Sequence, residues 1–155
     1  AQGFVQQPGF GSRSILFAVE IDDLVADGDA LSVGAGGAVG LTLFTRNDVE
    51  VDWTLLLASI SGTTPGFVVD GVAVPLNVDA ILGYTAANPI SPLFPNGLAV
   101  PDDLGVVDAS VELPAGAPPI LVGLGLSVAY VTLADAGGGL QVTSASNAVG
   151  VALQP

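Results

Sequence analysis

Apolar residues return at every second position in segment after segment of this chain. In Val106–Leu113, Val107, Ala109, Val111 and Leu113 fall on one side, and Val106, Asp108, Ser110 and Glu112 on the other. Alternation of this kind is the period of a β-strand with one face buried, and no amphipathic helix pattern competes with it. The same period marks residues 14–21, where Ile15, Phe17, Val19 and Ile21 share a face, and residues 38–45, with Val39, Leu41 and Leu43. Residues 51–60 are nearly all apolar, which predicts a central strand. Further strands are expected at 30–34, 66–70, 72–76, 78–84, 121–133, 140–143 and 148–153. Roughly ten strands at this spacing predict an all-β fold, a β-sandwich or jelly roll, in one domain of 155 residues.

The punctuation between the strands supports that reading. The chain has 21 Gly and 11 Pro. GAGG at 34–37 turns the chain, and Asp70-Gly71 between two apolar runs is a tight-hairpin signal. Residues 85–104 carry Asn88-Pro89, Ser91-Pro92, Pro95-Asn96-Gly97 and Pro101-Asp102-Asp103, and so form the longest irregular region. Residues 114–134 carry no charge and are long enough to suggest a membrane span. Their paired Pro118 and Pro119, their glycines and their β-branched residues favour a turn and a long buried strand instead. Irregular strand lengths and the lack of aromatic girdles place a porin-like barrel below a sandwich.

Charge narrows the function. Two cations, Arg13 and Arg46, stand against 15 carboxylates, for a net charge of −13. Nucleic acid and anionic membrane surfaces both need cations that this chain lacks. There is no His, Cys or Met. Catalytic triads built on His or Cys, Schiff-base lysines and ordinary zinc sites are therefore all ruled out. A carboxylate pair among Asp102, Asp103, Asp108 and Glu112 is the remaining catalytic route, and solvated turn acids are the plainer reading. No enzymatic activity is expected. The missing Met includes position 1, so a secretory signal cut ahead of Ala1 is expected, and with it an extracellular or cell-surface location.

From about Leu24 onward the chain resembles a β-sandwich domain of uncharacterised secreted proteins of Planctomycetes and similar bacteria. The resemblance rests on LSVGAGGAVGLTL (31–43), WTLLLASISGTTPG (53–66), DGVAVPLNVDAIL (70–82), NPISPLF (88–94) and the run from residue 104 to 153. An SGTTPG turn, a PLN-D strand and a final SNAV strand recur in that order in the family. The resemblance implies a fold for residues 24–155 and no activity. It leaves residues 1–23 outside the recurring domain, as an N-terminal extension.

That extension carries the leading expectation. The SRSILFAVEI segment (12–21) is apolar on both faces, and an exposed strand of that kind associates unless it is paired. Ile15, Leu16, Phe17, Val19 and Ile21 are the candidate donor-strand residues, with residues 22–29 as a linker to the body. Donation of each strand to the next copy is head-to-tail, does not close, and builds a filament. The expected function is a structural subunit of an extracellular filament or surface assembly. The alternatives are a first strand in the chain's own sheet and a monomeric binding module for calcium or carbohydrate. Calcium would use Asp22, Asp23, Asp27 and Asp29, with Asp102 and Asp103 as a second cluster, although neither has EF-hand spacing. Arg46 is expected to pair locally with Asp48, Glu50 or Asp52, or to bridge to a neighbouring subunit. Trp53, Tyr84 and Tyr130 are expected in the core or at its rim.

Overall fold

Strands form where the alternating runs can place one face on a common core, and the turn-rich segments connect them. The computed structural model describes residues 23–45, 51–135 and 137–155. Among these residues the strands are β1 (Asp23–Ala26), β2 (Ala30–Ser32), β3 (Gly37–Phe44), β4 (Trp53–Ser59), β5 (Phe67–Val69) and β6 (Val72–Val74). After the helix α1 (Ala80–Ala87) come β7 (Leu98–Ala99), β8 (Val106–Leu113), β9 (Gly125–Asp135), β10 (Leu140–Ala145) and β11 (Val149–Gln154). The fold is all-β and sandwich-like.

One sheet has the order β1-β3-β8. The larger sheet runs β2-β11-β9-β4-β7, with β10 also on β9, and β5 and β6 form a separate hairpin. The pairings are antiparallel except that of β2 with β11. β9 organises the larger sheet. One flank pairs with β4, while the other takes β11 along its first half and β10 along its second. Between β10 and β11 the chain bends at Ser146, whose N–H donates to the Tyr130 carbonyl and whose hydroxyl accepts the Tyr130 N–H.

Two cores lie on opposite faces of this sheet. Leu24, Leu41, Leu43, Val107 and Val111 of the small sheet meet Leu56, Val128, Tyr130 and Val151 of the large one. On the far face, Leu57, Ala129 and Val131 pack with Val74 of the hairpin, Leu76 just after it and Leu82 of the helix. β4 and β9 are therefore covered on both sides, which is why their sequences are apolar on both faces rather than alternating. In the β5–β6 hairpin, Asp70 and Gly71 both take positive φ (51° and 78°), as a tight hairpin turn requires.

Three expectations need correction. Residues 78–84, read as a strand, contain the start of α1. Asp79 caps this helix through Oδ1, which accepts the Leu82 N–H at 2.9 Å, and Asn88-Pro89 ends it. Residues 22–29, read as a linker, contain β1, which pairs in register with β3. The strand expected at 121–133 starts later, at Gly125, after a short 3₁₀ turn at Pro119–Leu121. The charge-free run is thus divided between turn and strand, and among the described residues no helix is long and apolar enough to cross a membrane.

Candidate functional site

The donor-strand residues Ile15, Leu16, Phe17, Val19 and Ile21 lie outside the described residues, as do Arg13, Asp22 and residues 46–50 with Arg46. The surfaces that could receive such a strand are the sheet edges, and most are closed by specific groups. At β1, the Asn147 side chain takes both outward groups of Leu24. Its Oδ1 accepts the Leu24 N–H at 2.8 Å and its amide donates to the Leu24 carbonyl at 3.0 Å. The edge of β4 is covered in turn by β7, by the Gly97 carbonyl accepting the Leu56 N–H, and by the Thr85 hydroxyl of α1 accepting the Ala58 N–H. β10 is broken by a bulge between Val142 and Ser144, and its Val142 N–H donates to Asp70 at the hairpin tip. Caps, bulges and short strands of this kind keep edges from pairing indiscriminately.

The free edge of β8 is only partly covered. The Leu93 carbonyl accepts the Glu112 N–H, the Asp102 N–H donates to the Val106 carbonyl, and Asn96 reaches the Asp108 carbonyl. Between them, the outward N–H and carbonyl of Ser110 have no partner among the described residues. Beside this gap lies an open groove of about 420 Å³, with Ile90, Pro92 and Pro95 facing Glu112, Leu113 and Pro114. Ile90 is 64% exposed. The Glu112 carboxylate accepts the Ser110 hydroxyl at 2.8 Å through one oxygen.

The candidate calcium ligands are dispersed in function. Asp23 opens β1 and is exposed. Asp27 accepts the Gly40 N–H at 2.7 Å, which extends the pairing of β1 with β3 past the strand's end. Asp29 is exposed, and its backbone carbonyl accepts from Ala152. Asp102 accepts the N–H groups of Leu104 and Val106 in a local turn, next to exposed Asp103. Among the described residues no three acids gather in a group that could hold a metal ion. The acids serve largely as loop organisers: Asp27, Asp52, Asp70, Asp79, Asp102 and Asp135 each accept at least one backbone N–H.

Two residues that sequence reasoning did not single out hold the most connected polar cluster. Asp79 Oδ2 accepts from the Ser59 and Ser61 hydroxyls and from the N–H groups of Ile60 and Ser61, at 2.7 to 3.0 Å. Burial works to raise the Asp79 carboxyl. Hydrogen bonds from Leu82, Ser61, Ser59 and Ile60 outweigh it and hold the group well below the usual carboxylate range. Asn77 grips the same loop, donating to the Ser61 and Thr64 carbonyls and accepting the Gly66 N–H. The SGTTPG and PLN-D segments thus meet as loop and anchor, and the SNAV segment supplies Asn147. With both its oxygens engaged, Asp79 is a structural anchor rather than an acid–base group. The signal for it was a lone Asp three residues ahead of Leu82 at the start of an Ala-containing segment.

Tyr130 is fully buried, and its hydroxyl donates to the Phe44 carbonyl. Trp53 opens β4 and Tyr84 lies in α1, both partly exposed at the rim. No family model, no curated protein and no solved structure matches the chain.

Proposed function

We propose that the chain is a structural, non-catalytic subunit of an extracellular filament or surface assembly, polymerising by donation of the 14–21 strand to a neighbouring copy. The observation that carries the reading is the position of Asn147. Only Asp22 separates residues 14–21 from β1, so the simplest fold within one chain is a tight hairpin against the outer edge of β1. That hairpin would pair first with the N–H and carbonyl of Leu24. Both are already held by Asn147, whose amide imitates a neighbouring strand. A segment apolar on both faces then needs a different place, and the partly covered β8 edge of another copy offers one without displacing Asn147.

The composition fits a durable building block: no Cys to oxidise or Met to form sulfoxide, few charges, and two cores sharing one central sheet. The test is negative-stain microscopy and sedimentation of the purified chain with and without residues 1–21. Fibres or large assemblies are expected from the full chain and not from the truncated one. Fibres that persist after the truncation, or a full chain that stays monomeric at high concentration, refute the reading.

A further inference from the structure

We propose that the groove between residues 90–95 and 112–114 receives the 13–17 segment of a neighbouring copy, with the Arg13 guanidinium on the Glu112 carboxylate. The inference rests on the strand-donation reading and names where the first part of the donated segment seats.

Three independent features converge at this groove. The first is shape and polarity: about 420 Å³ of open space walled mainly by Ile90, Pro92, Pro95, Leu113 and Pro114. The space is open on one side, and its largely apolar walls can take apolar side chains laid against them. The second is backbone. The outward N–H and carbonyl of Ser110, at the groove's side on β8, lack partners among the described residues and can accept one rung of strand pairing. Neighbouring positions on that edge are taken by Leu93, Asn96 and Asp102, so the contact is short and local rather than a full-length added strand.

The third feature is charge. Among the described residues, Glu112 is the only ionisable side chain lining the groove. Arg13 is the only Lys or Arg in residues 1–22, and it directly precedes the apolar run. In an extended chain Arg13, Ile15 and Phe17 share one face at intervals of about 6.6 Å. An arginine on the carboxylate thereby brings Ile15 and Phe17 over the apolar walls. Two copies at −13 each repel one another, so a contact that neutralises an acid with one of only two cations has particular weight.

A chain cannot readily fill its own groove. Asp23 lies level with Phe44 and Val106, whereas the groove sits at the other end of β8 and two strands across. That separation is about 25 Å, from strand rise and spacing. The chain from Arg13 to Asp23 reaches about 35 Å only when fully extended. The route along the β8 edge is occupied by residues 93–102, so the chain would have to lie over the outer face of the sheet. Its apolar side chains could rest on the exposed Val25 and Phe44 at the start of that path but would cross Thr42, Asp108 and Ser110 before the groove. An arm from another copy meets neither obstacle.

The experiment uses the 155-residue chain, which contains no Cys, in two arms. In the first, a Ser14→Cys variant is mixed with an Ile90→Cys variant under mild oxidation, and a Ser14→Cys/Ile90→Cys variant is oxidised alone. The expected result is a covalent heterodimer from the mixture and a ladder of multimers from the double variant. In the second arm, Glu112→Arg and Arg13→Glu are each expected to raise the concentration for half-assembly by about tenfold. Their combination is expected to return it toward the wild-type value, with unchanged thermal stability showing that each variant folds. An intramolecular cross-link alone in the double variant overturns the neighbouring-copy assignment. Wild-type assembly by Glu112→Arg together with no cross-link overturns the groove and leaves strand donation standing. A wild-type chain that never assembles overturns both.

Discussion

Replacing Asp79 tests the physical account of the fold most directly. In Asp79→Ala, α1 loses its N-cap, worth about 1 kcal/mol. Four further donors lose Oδ2. The Ile60 and Ser61 N–H groups and the Ser61 hydroxyl are exposed and regain water, so each costs only about 0.5 kcal/mol. Ser59 is fully buried, and its hydroxyl is left with a longer contact to Ser61 at 3.2 Å, which costs about 1 kcal/mol more. The expected loss is about 3 to 4 kcal/mol, read as a lower urea midpoint at unchanged m-value and a Tm lower by about 6 to 16 °C. Asp79→Asn should cost less, about 1 to 2 kcal/mol. Its single oxygen can face the four donors while its NH₂ group meets the Leu82 N–H, so that chiefly the cap is lost.

The pH dependence gives a second reading of the same contact. The folded-state value of Asp79 is depressed, so its stabilisation is present above the ordinary carboxylate value near about 4 and declines as pH falls below it. The stability gap between wild type and Asp79→Asn should therefore narrow as pH is lowered from about 5 towards 2. An Asp79→Ala loss under about 1 kcal/mol, or a gap that stays constant with pH, refutes the role assigned to this carboxylate.

Two further substitutions probe other anchors. Gly66→Ala should cost more than about 3 kcal/mol in chemical denaturation, because Gly66 has φ of 75° and a Cβ there would collide with the Val74 carbonyl. Asn147→Ala should destabilise by about 2 kcal/mol and accelerate hydrogen exchange of the Leu24 amide at least about tenfold, since both polar groups of Leu24 lose their partner.

The strands were legible because their period is local. Val106–Leu113 alternates and is β8; Asp70-Gly71 is a turn and joins β5 to β6. The central place of β4 was legible too, from its nearly all-apolar run. The helix was misread because Val78, Ala80, Leu82 and Tyr84 mimic a strand's alternation. The cap at Asp79 and the need to close the edge of β4 override that pattern. β1 was hidden among acids: Asp23 and Asp27 look like turn residues, and Asp27 in fact extends the strand pairing through its side chain.

Composition and periodicity by themselves determined that this chain is a β-protein with two cations, no His, Cys or Met, and most of its turns marked by Gly, Pro and Asp. They could do so because strand alternation, turn geometry and net charge depend on neighbours in sequence. Tertiary structure alone decided which acids act as anchors, that Asn77 and Asp79 hold the 59–66 loop, and that Asn147 closes β1 across 123 residues of chain. Those outcomes depend on which polar groups meet once the sheets have packed, and no local pattern encodes that meeting.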